Sequence, residues 1–575
     1  MKADSQLEED SNSAIPASGP AERKVSAFVT SLLTPGLKVV LIVTAVAGTC
    51  LLYFTAFHPD RFGFYRDDSM YVAMGKALAT GQGYRIVSLP DEPVQTKSPP
   101  FYPFLLSVIW RLNPEFPQNL TAMMLLSIVT TLLFLGLTYR YLLKQGYAAR
   151  WQALVVVGLT AINWRTIVLA SGIYSEMLYA ALSVAALYLA EKYEKGRDNW
   201  ALGSAVGVIA GLAFLTRSAG VSLVLAMALY FLLRRQPRGF LPVIIAGVFV
   251  LGWLGWGYVN GPTIESTNAG SYESYYQTFR ALIGNNGRSN LTTLLSVIAK
   301  NALGLILISI PVVCLGLAYE SVLYFGFAFL FIAAGFLRQS RARLRLVHIY
   351  IVTYLAVHLL WPYTAYDRFL MPLLPFLLLF MLIEVQTMFA LITKVVAAPK
   401  QLIGRASAAF IGLALAVLVG ASLYNYGLGV YRSLSLATLR KVPRPASDDA
   451  EAIEWIKSHT DPSDVLICYR DPLYYLYTSR KAARSTLVRD GGFLQSSPVG
   501  TDETEKIVFR IMNENKARYL VLTRSDFELE YQPDLERQNY ETLLERNPAV
   551  FAPVFGSAAE GSRVYRIYDD RSDNR

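Results

Sequence analysis

Apolar and polar positions along this chain fall into long blocks. Apolar runs recur from Val39 to Leu428, and many approach or exceed the roughly 18 residues that read as membrane-crossing helices. Polar residues gather between them, and only the part after about Lys441 has the composition of a soluble domain. The pattern predicts a polytopic α-helical membrane protein, with a disordered, Ser/Pro/Ala-rich cytoplasmic N-terminus at 1–37, a transmembrane domain at 38–430 and a small soluble α/β domain at 441–575. The first apolar run starts too late for an ordinary signal peptide and reads as an uncleaved span.

Basic residues cluster in alternate loops, such as "YRYLLKQGYAAR" at 139–150, and mark these as cytoplasmic. Spans are expected at 38–57, 118–139, 151–167 and 174–190. The stretch 201–233 would be about 50 Å long as one helix, against a hydrocarbon core of about 30 Å. It is therefore expected to be two short spans joined at "LTRSAG", with Arg217 at the turn. Further spans are expected at 240–259, 346–363, 368–391 and 404–428. The stretch 301–337 is apolar enough for two spans, but two would place "RQSRARLR" at 338–345 outside, against the charge rule. One span at 315–337 is preferred, with 291–312 an amphipathic or re-entrant helix at the outer face. That makes about eleven transmembrane helices (ten to thirteen), long outer loops at 58–117 and 260–312, and an extracytoplasmic C-terminal domain.

Composition narrows the function. The net charge of +10 comes with only 17% charged residues, and the basic ones sit where orientation signals lie, so nucleic-acid binding is not expected. Three cysteines, Cys50, Cys314 and Cys468, form neither a metal spacing nor a disulfide framework.

With this topology, the charges near span ends converge on the outer face: Asp67, Asp68 and Lys97 in the first outer loop, Arg165 and Glu176 around the second, Arg217 at its turn, and Asp367 with Arg368 opening a late span. Ionisable residues at membrane depth mark functional sites. Carboxylates can act as a general base on a hydroxyl or hold a divalent cation, and Lys and Arg can clamp a leaving phosphate. Such a cavity suits a sugar phosphate carried on a lipid. Bland roles stand beside these. Asp67 could serve a helix dipole, and Asp68 could be a structural partner. Lys97, Arg165 and Arg368 could be interfacial anchors, and Glu176 could pair with Arg165 or Arg217. His58 and His358 read as packing residues.

In order and spacing, "DDSMY" (67–71), "GQGY" (81–84), "KSPPFYPFLL" (97–106), "SGIYSEMLY" (171–179), "GLAFLTRSAG" (211–220) and "YDRFLMPLLP" (366–375) resemble the GT-C superfamily of integral-membrane glycosyltransferases. The resemblance is to the branch of the protein O-mannosyltransferases and the lipid A aminoarabinose transferase, and it covers roughly 38–430. It implies inverting transfer of a sugar from a polyprenyl-phosphate donor to an acceptor hydroxyl on a glycan, lipid or protein. It implies Asp67 as catalytic base, Asp68 as support or metal contact, Lys97, Arg217 and Arg368 at the donor phosphate, and Tyr71, Arg165 and Glu176 as supporting or acceptor residues. Any divalent cation would fall on Asp67 and Asp68. Here Ser98 follows the lysine and Gln95-Thr96 stands where some relatives carry an acid, so a metal ligand there is not implied. The resemblance points to a bacterial inner membrane, with the site and the C-terminal domain on its periplasmic side.

In the C-terminal part, "SDDAEAIEWIKSHT" predicts a helix capped by Ser447, and "DVLICY", "RYLVLT" and "SRVYRIY" predict strands. Gly491-Gly492 reads as an ordinary loop. The tyrosines of "YRDPLYYLY" (469–477) could stack carbohydrate or pack a core. The alternative function is a transporter or flippase of a lipid-linked sugar, and a third is a membrane scaffold. The lack of an internal repeat weighs against the transporter.

Overall fold

The structure is a computed structural model that describes residues 35–63, 66–196, 199–261, 272, 289–316, 322–361, 367–397, 402–438, 449–485, 500–524, 526, 533–557 and 561–568. The expectations for 1–34, most of 260–288, Ser447 and Gly491-Gly492 lie outside these residues.

The chain opens with α1 (Pro35–Thr55), then places two helices in the first loop, α2 (Asp67–Ala79) and α3 (Phe101–Leu112). The bundle follows: α4 (Leu120–Lys144), α5 (Arg150–Ile162), α6 (Trp164–Ala170), α7 (Glu176–Lys195), α8 (Trp200–Thr216), α9 (Val221–Leu233) and α10 (Phe240–Asn260). Next come α11 (Ser289–Gly304) and α12 (Ile310–Leu315), joined by a π turn at Leu305–Ser309. The last bundle helices are α13 (Val322–Ala342), α14 (Leu346–Leu359), α15 (Leu374–Ala397) and α16 (Leu402–Thr438).

Among the described residues, five helices are long and apolar enough to cross a membrane, or six if the bent pair α5–α6 is one span. Five further apolar helices are shorter, at 10–17 residues. Two of the short ones are α8 and α9. Arg217 separates them with extended backbone (φ −148°, ψ 133°), as the length argument required. The turn is tight enough that a Cβ on Gly220 would lie 2.6 Å from the Phe214 Cα, which makes glycine necessary there. The third span departs from the straight helix expected at 151–167. It breaks at Asn163 with a 62° bend, and the Asn163 side chain accepts from the Arg165 N–H to start α6.

The bundle has two recognisable ends. At one, α7 begins and α14 finishes. At the other, Tyr141 and Tyr147 donate to Glu191, and Arg345 donates to the carbonyls of Gln145 and Gly146. The segment α11–α12 is long and apolar enough to span. Its contacts describe something else. Asn301 donates to the carbonyls of Leu359 and Trp361 at the first end. Leu315 packs with Ala328 and Met381, part-way along α13 and α15. The segment enters from the first end and stops inside the bundle, as expected of a re-entrant element. Length and hydropathy alone do not register this.

Helices α8 and α10 approach closely along Gly203, Gly207 and Gly211. A Cβ on Gly207 would meet the Pro242 carbonyl and Ile245 Cβ at 2.7 Å. Small residues let helix backbones meet where lipid supplies no hydrophobic drive. Gly247 on α10 has no such neighbour within 4 Å.

The C-terminal part consists of α17 (Ala450–His459), β1 (Leu466–Cys468), α18 (Asp471–Thr478), β2 (Ala482–Arg484), α19 (Thr501–Asn515), β3 (Tyr519–Leu522), α20 (Pro533–Arg546), β4 (Phe551–Gly556) and β5 (Arg563–Ile567). The sheet order is β2-β1-β3-β5-β4. The first three strands are parallel, and β5 and β4 add antiparallel. Three strands fall where the sequence pattern placed them. Asp449, rather than Ser447, occupies the cap position of α17, without a side-chain cap bond.

This domain sits directly on the first loop. Leu473 fills the space beside Gly63, whose φ of +90° also requires glycine. The Ala482 N–H donates to the Ser88 carbonyl at 2.8 Å, and Lys481 pairs with Glu92 at 2.6 Å. Arg66 lies over Tyr469 at 4.5 Å and Lys76 over Tyr475 at 4.8 Å. The carboxylate of Asp471 accepts from Ser88 in the first loop and Tyr272 in the second. The tyrosines of 469–477 thus form a helix-borne docking surface. Tyr469, Tyr474 and Tyr475 are buried, which rules out their use as a free carbohydrate platform.

Two predictions follow from this packing. Gly207→Val should lower the thermal unfolding midpoint in detergent, by an overpacking cost of about 1–3 kcal/mol, whereas Gly247→Val should change it little. Burial pushes the Asp471 carboxyl up to about 7, well above the ordinary carboxylate value. The folded state therefore holds a proton that the unfolded chain releases near pH 4. The resulting stability is complete below that pH and is lost as pH rises through about 7. Domain docking, followed by limited proteolysis, should weaken from pH 5 to 8. Asp471→Asn should flatten part of that slope, and an unchanged slope would refute the assignment.

Candidate active site

The N-terminus of α2 carries the two aspartates, and the fold separates their roles. Asp68 is only 2% exposed. Its oxygens accept from the N–H groups of Gly63 (2.8 Å) and Ser69 (2.6 Å). Burial pushes its carboxyl up to about 7, against the opposing pull of those amides and of Arg470. Asp67 turns the other way, to Arg368 at 2.8 Å, and its side chain is 34% exposed. Asp68 thus faces its own loop while Asp67 faces Arg368. Among the described residues, no group of three or more His, Cys, Asp or Glu is placed to hold a metal.

Four elements bring their charges together here. Arg368 comes from the 3-10 turn Asp367–Leu370, Glu176 from the start of α7, Arg217 from the α8–α9 break and Asp67 from α2. Glu176 Oε1 lies 2.9 Å from Arg217 Nη1 and 3.8 Å from Arg368 Nε. Arg217 also donates to Ser175 Oγ at 2.9 Å, and Ser175 meets the Tyr71 hydroxyl at 3.2 Å. Both guanidiniums lie about 5 Å from the Phe369 ring centre. The network runs from Asp67 through Arg368, Glu176, Arg217 and Ser175 to Tyr71, with two acids balancing two bases.

Arg165 belongs to a second pair. Its guanidinium binds both oxygens of Asp367 at 2.6–3.1 Å and stacks over Trp164 at 3.9 Å. Arg165 and Asp367 are both buried. Asp367 also accepts from the Arg368 N–H at 2.9 Å, so this pair fixes the turn that carries Arg368. Of the two partners considered for Glu176, Arg217 is the one found. Arg165 is a buried strut, not an interfacial anchor.

Lys97 is half-buried in the loop beside Ser98 and Pro99. Gln95 organises that loop by accepting from the N–H groups of Lys97 (2.7 Å) and Ser98 (3.2 Å). Next to the network lies a small open cleft lined by Tyr71, Ser98, Arg217, His358, Trp361 and Phe369 among others. Sequence reasoning placed His358 in packing and missed Ser175 and Trp361. Ser175 and Phe369 lie inside the quoted motifs; His358 and Trp361 had no such signal.

Residues 97–256 match the profile of a family described as dolichyl-phosphate-mannose-protein mannosyltransferase. The solved structure of ArnT from Cupriavidus metallidurans aligns over 92% of this chain and 98% of its own, at 15% identity and a TM-score of 0.51. The chain shares its overall fold with that structure. The ArnT structure bound to undecaprenyl phosphate aligns equally well. The oligosaccharyltransferase AglB from Archaeoglobus fulgidus, in complex with an inhibitory peptide and a dolichol-phosphate, aligns over 92% of this chain and 74% of its own, at 14% identity and a TM-score of 0.51. No curated protein matches. On this shared fold, Asp67, Tyr71, Glu176, Arg217 and Arg368 meet at one end of the helical bundle.

The Arg165–Asp367 pair gives a direct test of the site's framework. Arg165→Met leaves Asp367 buried and uncompensated, and should destabilise the detergent-solubilised protein by about 3–5 kcal/mol. The double variant Arg165→Met/Asp367→Leu should recover most of that loss in thermal unfolding. No recovery would mean the pair does not act as a unit.

Proposed function

We propose that this protein is an integral-membrane glycosyltransferase. It moves a sugar from a polyprenyl-phosphate donor to an acceptor hydroxyl on a glycan, lipid or protein, with inversion at the anomeric carbon. The observation that carries the proposal is the sorting of carboxylates by exposure. Asp68, Glu176 and Asp367 are 2–6% exposed and held by other groups, while Asp67 is 34% exposed. Asp67 is the one of the four that an incoming hydroxyl can reach. The alignment with undecaprenyl-phosphate-bound ArnT supports a lipid-phosphate donor.

In the proposed step, the acceptor oxygen bonds to the anomeric carbon as its proton passes to Asp67. The bond from that carbon to the phosphate oxygen breaks, and the polyprenyl phosphate leaves. Arg217, Arg368 and Lys97 hold the phosphate and stabilise its growing charge. The phosphate competes with Asp67 for Arg368, which frees the carboxylate when the donor is in place. Glu176 stays between the two arginines and keeps them aimed, Tyr71 lines the cleft, and Arg165 fixes the Arg368 turn. Asp68 positions Asp67 by anchoring the loop that precedes it.

We assign this end of the bundle and the C-terminal domain to the extracytoplasmic side, which the loop charges support, and a bacterial inner membrane, which the family resemblance supports. The test uses proteoliposomes, polyprenyl-phosphate hexose labelled in the sugar, and a membrane extract as acceptor source. Wild type should move label off the lipid. Asp67→Asn should lower that rate by about 10²–10⁴-fold with donor binding retained. Label that crosses the bilayer still attached to its lipid, equally in both proteins, would establish a flippase instead.

A further inference from the structure

The second end of the bundle, far from the candidate base, carries charge that the proposed transfer does not use. We propose that it binds the phosphate of an anionic phospholipid where the connections α4–α5, α7–α8, α9–α10 and α13–α14 meet. This inference stands apart from the transfer reading.

Over 144–150, 191–196, 234–239 and 341–345 these connections hold ten Lys and Arg against two acids, Glu191 and Glu194. Both acids are engaged. Glu191 is buried and accepts from Tyr141 and Tyr147, and Glu194 accepts from Tyr230 at 2.6 Å with Arg234 at 3.6 Å. A loop charge that only orients a span needs no fixed position. Here three arginines are fixed, largely by neutral groups. Arg234 lies over Tyr230 at 5.4 Å, Arg238 over Tyr193 at 5.6 Å and Arg345 over Tyr147 at 4.2 Å. Arg234 donates to the Leu344 carbonyl at 2.8 Å, Arg238 to the carbonyls of Glu194 and Gly196, and Arg345 to those of Gln145 and Gly146. A carbonyl orients a guanidinium without cancelling its charge. Arg235 adds a cation from a left-handed backbone (φ +52°), which residues other than glycine rarely adopt. Burial lowers the Lys195 pKa from its ordinary value, and Arg343 and Arg345 push the same way against Glu191 and Glu194. Like charges this close repel, and an anion placed among them relieves the repulsion.

The surroundings call for an anion that carries acyl chains. Leu233 and Leu344, next in sequence to Arg234 and Arg343, are both exposed, and the Arg234 bond to the Leu344 carbonyl brings them to one place. Phe240, which opens α10 at this end, is exposed as well. Trp200 opens α8 at the same end and is 78% exposed, and tryptophan favours the headgroup level of a bilayer. A phospholipid meets both demands at once, with its phosphate among the arginines and its chains against the leucines. An acidic soluble protein would satisfy the charge and leave the apolar rim uncovered. With the sidedness assigned above, this is the cytoplasmic leaflet, whose anionic lipids are drawn to basic clusters.

The test is native mass spectrometry of the full-length protein released from detergent micelles, titrated with phosphatidylglycerol and with phosphatidylcholine of the same acyl chains. Phosphatidylglycerol should bind about tenfold or more tighter. Arg234→Gln/Arg235→Gln/Arg343→Gln should bring the two lipids to within about threefold of each other. Lys506→Gln/Arg510→Gln/Arg566→Gln removes the same charge from exposed positions of the C-terminal domain and should leave the preference intact. Arg343→Gln alone should weaken phosphatidylglycerol binding about threefold. The Arg343 side chain makes none of the loop contacts named above, so this variant tests the site even where the triple variant fails to insert. Equal binding of the two lipids by wild type, or the same loss in both triple variants, would overturn the proposal. Glycerol 3-phosphate that displaces phosphatidylglycerol at equal concentration would show a site for free phosphate and overturn the lipid assignment.

Discussion

Glu176 is held between two arginines at the end of the bundle, and the architecture around it answers to that placement. An unpaired carboxylate at membrane depth is costly, and so is an unpaired guanidinium. Glu176 is 3% exposed and Arg217 and Arg368 are 16% and 18% exposed, so each needs the others. These groups come from distant parts of the chain. They meet only if α8 and α9 break at Arg217, if α7 starts at Glu176, and if the turn after α14 returns Arg368 to the same depth. The second buried pair, Arg165 with Asp367, locks that return. A structure in which one of these breaks were absent would leave a charge stranded in an apolar bundle.

Asp67 is connected to the same network but anchored from the other side. Its position depends on the loop before α2, and that loop is held by the C-terminal domain. Gly63 has room only for a hydrogen because Leu473 of α18 fills the space, and its N–H is committed to Asp68. Arg66 has a positive φ of 58° and lies over Tyr469. The soluble domain thus acts as a brace on the candidate base. Buried Asp68 and Asp471, in or against that brace, make its strength depend on pH.

The bundle and the location of its charges were legible because hydropathy blocks and loop charges follow directly from the bilayer as solvent. The break at Arg217 could be read from length alone, since no single helix of that extent fits the membrane. Pairings were legible only in part. Glu176 was open to Arg165 or Arg217 and takes Arg217, while Arg165 finds Asp367, about two hundred residues away, because α6 is bent off its span at Asn163. Nothing local in the sequence announces that bend. The difference between Asp67 and Asp68 was also beyond the pattern. Two adjacent helix-start residues point about 100° apart, and only the docked C-terminal domain decides which of them is covered. The tyrosines of 469–477 were open to stacking carbohydrate or packing a core, because composition does not show which partner a surface meets.

The cleft shows how one set of charges can serve two opposite needs. In the proposed reaction, a lipid-phosphate donor brings negative charge to this end of the bundle, and the two arginines answer it. The same arginines need counter-charges when no donor is bound, and Asp67 and Glu176 supply them. Only one of these acids can be given up on donor binding without stranding a buried group. Glu176 is enclosed and faces both guanidiniums. Asp67 is partly exposed and faces one. In the proposed step, exchange of anions on Arg368 releases Asp67 to water and acceptor, while Glu176 keeps both arginines in register. Coupling base and phosphate clamp through a single guanidinium links the arrival of the donor to the freeing of the base. That link is a consequence of exposure and pairing rather than of any large movement of the fold.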